Sequence, residues 1–332
     1  MSNTDLEKMK EFLREKGQSL LNYSNVSSVG IGEKTKNSKT TGEYVIQFTV
    51  NEKKSVSQLE SEHVVPIPEK IEFKGVAFQT DVIRRRYEVN YRQIANEEMM
   101  PDIESKSKDY KEIRRSYNQQ LQPGISVSNI GGTAGTLGAI VYDKKTGMPY
   151  ALSNWHVFHS THGSIGEALV QPGPYDDPGD SDSNKFGKLV RSFLGLAGDC
   201  AIGSILNRDY NEEIIELAVI PTGIADVELG DKVVKSGRTT GVTYGIVSRI
   251  NVTTKINYGG SIGERTISCF EMKPNPEKPP ENGEISMGGD SGSVWLIDSE
   301  KDNGLVVGLH FAGESDLHRK MNMPCHVISN QS

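Results

Sequence analysis

Apolar residues follow two rhythms along this chain. Near the start, Leu6, Met9, Phe12 and Leu13 recur at helical spacing, and Thr4 with Glu7 matches the capping-box pattern. That combination predicts an amphipathic helix over residues 4–16. The period then shortens towards two. Residues 27–34 read as a glycine-punctuated strand, YVIQFTV (44–50) as a strand with Gln47 and Thr49 on a solvated face, and HVVPIPEKIEF as a third strand-like piece leading to TDVI at 80–83. Residues 1–88 therefore read as a small α/β module. The stretch 89–121 mixes acidic and basic residues and reads as a charged connector; a solvated helix or linker explains it better than a basic recognition patch.

From Gly124 the texture changes. Short apolar runs recur between Gly, Asn, Asp and Pro: GTLGAIVYD (135–143), YALSNWHV (150–157), GDCAIGSI (198–205), DKVVKSG (231–237), GIVSRI (245–250), SVWLID (293–298) and GLVVGLHFAG (304–313). No long helical pattern interrupts them. Residues 122–332 thus predict an antiparallel all-β sandwich or pair of barrels. A proline-rich surface loop, KPNPEKPPENGE at 273–284, separates two of the strands.

Composition narrows the class. A length of 332 residues suits two domains, or three if the second is a pair of small barrels, and 37 Lys+Arg against 44 Asp+Glu give a net charge of −7, which argues against a nucleic-acid partner. No apolar run approaches the roughly 18 residues needed to cross a bilayer, so no membrane partner is expected. The charged opening segment lacks the apolar stretch of a signal peptide. Three scattered cysteines, Cys200, Cys269 and Cys325, are too few for a disulfide framework. The expectation is a cytoplasmic protein with reduced, inert thiols.

Candidate chemistry concentrates in three places. Gly288-Gly289-Asp290-Ser291-Gly292-Ser293 runs straight into the apolar VWLI. A serine hydroxyl becomes a nucleophile when a neighbouring base takes its proton, and flanking glycines let successive N–H groups converge where an oxyanion would form. Gly289 and Ser291 are the expected donors. His156 ends the run Ser153-Asn154-Trp155-His156-Val157 and is the candidate base. Asp199, opening the apolar CAIGSI, is the candidate acid that fixes the imidazole tautomer. The order His, Asp, Ser holds, with gaps of 43 and 92 residues. An α/β-hydrolase reading fails, because Ser293 stands where G-x-S-x-G needs glycine and only 41 residues follow Ser291.

Those residues, in that order, resemble the chymotrypsin/trypsin-like serine peptidases. GRTTG after the strand DKVVKSG and LHFAG at 309–313 resemble the opening of that family's second barrel and the strand behind its specificity pocket. Together LSNWHV, QPGP (171–174), GRTTG and GDSGS, with VGIG and TDV near the start, are similar to intracellular bacterial trypsin-like proteins related to the plant narrow-leaf protease. The resemblance implies a mainly β protein of two antiparallel six-stranded, chymotrypsin-like barrels (about 122–220 and 221–332) behind the α/β module. It also implies a cofactor-free serine endopeptidase acting on polypeptides.

The pocket implied by the resemblance contains Ile285, six residues before the nucleophile, with His310, Phe311 and Ala312. Ile285 disfavours cleavage after Lys or Arg. His310 resembles the histidine by which glutamate-specific members receive an acidic side chain; small or apolar residues before the cut remain alternatives. His156, His159 and His162 recur every three residues, but commitment of His156 to catalysis leaves no metal site. The acidic loop Asp176, Asp177, Asp180, Asp182 and Asn184 lacks the glycine and closing glutamate of a calcium loop and reads as solvated. The rival class is a non-catalytic or partner-activated scaffold. An activating protein partner and self-assembly into a homo-oligomer are both open. No Ile-Val-Gly-Gly-type start precedes the barrels, so a preformed or partner-ordered oxyanion site is expected.

Overall fold

The computed structural model describes residues 3–36, 39–89, 108–179, 182–281, 283–314 and 322–326. Over these the chain is mainly β with an N-terminal helix, in line with the sequence pattern. Helix α1 (Asn3–Leu20) lays Met9, Phe12 and Leu13 against Val29, Ile31, Phe48 and Phe78. Strands β1 (Val26–Lys36) and β2 (Lys39–Val50) are antiparallel, and the short helix α2 (Val56–Ser61) follows. The third expected strand is shorter than its apolar run. Only β3 (Lys70–Phe73) pairs, because Pro66 and Pro68 offer no N–H to a ladder. It turns through Lys74 and Gly75, both at positive φ (46° and 76°), into β4 (Val76–Arg84), which lies parallel to β2.

The connector is more structured than a solvated linker. Strand β5 (Tyr87–Val89) stands at its front boundary, helix α3 (Lys108–Arg115) lies within it, and β6 (Gln120–Leu121) ends it; residues 90–107 lie outside the described residues. Arg114 is buried and donates to the carbonyls of Gly124 and Gly237, to Ser236 Oγ and to Glu216.

Seven strands form the first barrel: β7 (Ser126–Asn129), β8 (Gly135–Thr136), β9 (Ala139–Tyr142), β10 (Pro149–Ser153), β11 (Ala168–Val170), β12 (Lys185–Gly195) and β13 (Gly198–Ser204). One-turn helix α4 (Trp155–Phe158) follows β10. Pairing runs β8-β7-β11-β12-β13-β10-β9, all antiparallel. β8 and β9 are two halves of one run, joined where Leu137 N–H meets Ile125 and Gly138 N–H meets Leu152. The sheet therefore closes on itself as six strands around Val127, Leu137, Leu169, Phe186 and Leu189.

Short β14 (Asp209–Tyr210) pairs with β6, and β15 (Gly223–Ile224) with the start of β20. The second barrel comprises β16 (Lys232–Gly237), β17 (Gly241–Asn257), β18 (Glu264–Pro274), β19 (Val294–Ile297), β20 (Leu305–Glu314) and β21 (Asn322–His326). Its antiparallel pairings close the ring β16-β19-β20-β21-β18-β17-β16. Side chains alternate between two clusters: Val233, Trp295 and Val307 join one, while Val234, Val294, Leu296 and Val306 join the other. Both faces are covered, which is why VVK, VWLI and LVVGL read as continuous apolar runs.

β17 is longer than the barrel needs, and its surplus pairs with β1 (Ile31↔Ile250, Gly32↔Arg249). The front strands thus extend the second barrel's sheet. At that seam Arg249, 1% exposed, donates to Ser28 Oγ, Thr49 Oγ1 and the Gln47 carbonyl, so Gln47 and Thr49 are buried polar partners rather than a solvated face; Arg249 also pairs with fully buried Glu271, which receives Arg85. Removing one partner of such a pair strands the other charge in the interior. Arg249→Met is therefore expected to lower unfolding stability by about 3–5 kcal/mol in urea titrations; a loss under about 1 kcal/mol would mean that Glu271 finds solvent or another partner.

Candidate active site

Strand register sets the first half of the site. In the β10–β13 ladder Ser153 faces Ala201, so the chain leaving β10 into α4 runs beside Asp199. Asn154 Nδ2 donates to the Asp199 carbonyl (2.7 Å), and the His156 N–H donates to Asp199 Oδ1 (3.3 Å). His156 Nδ1 lies 2.6 Å from Asp199 Oδ2. Two bonds from one carboxylate to one histidine fix both the ring and its backbone. The same Oδ2 accepts from the hydroxyl of Tyr258 (2.7 Å), which arrives from just beyond β17 in the other barrel. Tyr258 also sets its ring edge-on to Trp155, which in turn stacks on His159. The neighbouring Cys200 thiol is pushed up to about 11 by burial and by the Asp199 charge, so it stays protonated and unreactive at neutral pH.

Ser291 comes from the loop before β19. Its carbonyl accepts from Thr136 N–H (2.7 Å), and Thr136 Oγ1 donates to the Gly289 carbonyl (2.8 Å) while accepting from Arg238 N–H (3.0 Å). One threonine on β8 thereby pins the serine loop of the second barrel to the first. Glycine is required here by space as well as by φ. At Gly289 (φ 93°) a Cβ would lie 2.6 Å from Thr239 Oγ1, and at Gly292 (φ 96°) 2.3 Å from the Thr136 carbonyl. Ser291 is 1% exposed, and its Oγ makes no hydrogen bond among the described residues. Nor do those residues take the N–H of Gly289 or Ser291, so both donors are unspent.

The loop's shape is held by Asp290. Its buried Oδ1 accepts from the N–H groups of Thr239 and Thr240 (2.8 and 3.1 Å), and Oδ2 from Thr240 Oγ1 and Met287 N–H (2.7 and 2.9 Å). Lys235 Nζ, also fully buried, stands 3.5 Å from Oδ2 and donates to Thr240 Oγ1 (2.7 Å). Burial by itself would raise the Asp290 carboxyl; Lys235 and those donors overcome it and hold the group below its ordinary value. For Lys235 burial wins: its ammonium is pushed down to about 8 despite Asp290. A second buried pair ties the barrels together, Arg238 with Asp176, and Asp176 also receives Ser126 Oγ. Asp176 is thus part of a buried ion pair, which corrects the reading of its whole loop as solvated; Asp180 lies outside the described residues.

The sequence candidates fall into three places. His156 and Asp199 sit together on the first barrel. Ser291 and Gly289 are docked onto β8 from the second. His310 is fully buried behind the loop: its N–H donates to the Ser293 carbonyl and its carbonyl accepts from Gly292 N–H. Phe311 and Ala312 follow it on β20 in the cluster shared by both barrels, whereas Ile285 packs in the other cluster and gives its carbonyl to Thr243. Sequence reasoning missed Tyr258, Lys235 and Arg238. A lysine inside the apolar VVKSG was a visible signal, since a charge there must find a buried partner; nothing local marks Tyr258.

No protein-family model matches the chain, and no curated protein matches it. Solved structures similar to it include Thermobifida fusca protease A, with 18% identity over 63% of this chain and 92% of that one at a TM-score of 0.44. Nocardiopsis protease shares 18% identity over 63% and 93% at 0.43. A glutamic acid-specific serine protease shares 17% identity over 62% and 94% at 0.45. The structural neighbours are chymotrypsin/trypsin-like serine proteases at low sequence identity.

Lys235 makes a pH test available. Between pH 8 and 10.5 the folded chain has released a proton that the unfolded lysine still binds. Unfolding then takes up a proton, so this group makes stability rise with pH across that window, by up to about 3 kcal/mol. Urea titrations should show wild type gaining on Lys235→Met from pH 8 to 10; a constant difference would mean that Lys235 keeps its proton in the folded chain.

Proposed function

We propose that this chain is a serine endopeptidase that hydrolyses polypeptides through an acyl-enzyme on Ser291. The observation that carries the reading is the doubly held His156–Asp199 pair on one barrel together with a serine loop from the other, docked onto β8, whose Gly289 and Ser291 N–H groups are taken by none of the described residues. Ser291 attacks the scissile carbonyl, His156 takes its proton and returns it to the leaving amine, and Asp199 keeps the imidazole in the right tautomer. The two N–H groups receive the oxyanion. Tyr258 is a positioning residue that acts through Asp199. No cofactor takes part. We take the catalytic unit to be residues 122–332, with barrels of about 122–220 and 221–332, and propose that the chain acts in the cytoplasm as one of the intracellular bacterial trypsin-like proteins related to the plant narrow-leaf protease.

For specificity, we propose a preference for an acidic residue before the cut, carried by His310; Ile285 packs in a different cluster from Phe311 and Ala312, so the four do not border one pocket. Burial, followed by the positive charge of Lys235, pushes His310 down to about 3. Its imidazole is neutral at physiological pH, so an acidic side chain would be met by a hydrogen bond from the ring rather than by an ion pair.

Mass spectrometry of a proteome-derived peptide mixture tests both parts. Cuts should appear with wild type, cluster after Glu or Asp, and vanish with Ser291→Ala. Cuts after apolar or basic residues would remove the acidic preference, and cuts surviving Ser291→Ala would remove Ser291. No cutting at all would favour the scaffold reading. Asp199→Asn should lower kcat by about 10⁴-fold. Tyr258→Phe, which deletes one hydrogen bond to a carboxylate worth about 1.5–3 kcal/mol, should lower it by at least about tenfold; an unchanged kcat would make Tyr258 merely structural.

A further inference from the structure

The two edges of β20 are used differently. On one edge β21 pairs with Gly308 to Gly313, including Ala312↔Met323 and Gly313↔Asn322. On the other, β19 pairs with residues 306–309, and the ladder continues into the serine loop, where Gly292 and Ser293 exchange hydrogen bonds with His310. Strand β5 then pairs with Ala312, Gly313 and Glu314. Because β21 already covers Ala312 and Gly313, β5 must occupy the edge that leads to the serine loop. Its direction is antiparallel, from Tyr87 opposite Glu314 to Val89 opposite Ala312, so it points at His310 and the loop. Ala312 is two residues from His310, about 7 Å along the strand.

An extended polypeptide gains backbone hydrogen bonds by adding to an open strand edge, and this edge leads directly to the loop that carries Ser291. That edge is not open. Tyr87 and Val89 are buried (8% and 2% exposed) in the cluster that contains Phe311 and Ala312. Arg85, hydrogen-bonded to the Tyr87 hydroxyl and to Glu271, anchors the approach.

We infer that the chain's own β5, laid on the edge of β20 at 312–314 beside the serine loop, acts as an inhibitor in cis by occupying the edge a substrate segment would use. The inference rests on the endopeptidase reading and adds both a restraint and a recognition rule. The edge takes an extended peptide with large apolar side chains at alternating positions, as in Tyr87–Glu88–Val89. Substrates compete with β5 for one ladder, so releasing β5 raises affinity for peptide without altering the chemistry at Ser291.

The test uses the full chain with Val89→Asp, which puts a charge into the buried contact. Hydrolysis of an internally quenched peptide containing a Tyr-x-Val segment should rise at least tenfold in kcat/KM, while the rate of Ser291 labelling by a small fluorophosphonate changes less than twofold. In the Ser291→Ala background, fluorescence anisotropy with the labelled peptide should show at least tenfold tighter binding when Val89→Asp is added. Equal binding with and without the release variant overturns the inference, whether or not the chain hydrolyses anything. Absent labelling of Ser291 would instead strike at the endopeptidase reading. If Val89→Asp does not fold, Glu88→Pro, at a half-exposed position of the same strand, gives the same comparison with the same expected and overturning results.

Discussion

A fully buried carboxylate with no freedom dictates the geometry of this protein's candidate site. Asp290 has both oxygens engaged, by three backbone N–H groups and the Thr240 hydroxyl, with a buried ammonium alongside. A charge placed there could not persist without such partners, since desolvation alone costs several kcal/mol per ion. The partners in turn lock the GRTTG turn to the GDSGS loop. With the two ends of that contact fixed, the chain between Met287 and Ser293 has few conformations left. The two unspent N–H groups are then a consequence: Asp290 accepts from Thr239, Thr240 and Met287, leaving those of Gly289 and Ser291 aside.

The second constraint is that the site is divided between barrels and yet has to be rigid. Several contacts cross the divide. Thr136 binds the serine loop on both sides of Asp290, Tyr258 reaches back to Asp199, and Arg238 grips Asp176. Each of these crossings is made by a buried polar group bonded to the other side, so sliding one barrel would strand several at once. Small displacements are therefore expensive, which is the condition for holding groups at reactive distance. The front strands add to this from outside, because β1 extends the sheet of the barrel that carries Ser291 and Arg249 seals the seam.

Much of the fold was legible in the sequence. The helical spacing of Leu6, Met9, Phe12 and Leu13 marked α1, and the short apolar runs after Gly124 marked the barrel strands, because burial on a helix or strand leaves its period in the residues. The third front strand was overestimated, since apolar content at 63–69 hid the effect of two prolines. The connector was read from its charges as a solvated helix or linker; a helix is there, but its Arg114 is buried between the barrels. Composition reports an average over a segment, and a single arginine that finds four acceptors is invisible to it.

By itself the sequence determined the periodicities, the glycines flanking Ser291 and the order of His156, Asp199 and Ser291, because these are properties of neighbours along the chain. Only the tertiary structure decided which distant groups meet. Lys235 faces Asp290 across 55 residues, Tyr258 finds Asp199 across 59, and β5 lies on β20 across more than 200. Ring closure of two sheets brings those pairs together, and no local pattern encodes the partner of a strand edge or of a buried charge. Hydrogen bonding demands that each have one; the fold chooses which.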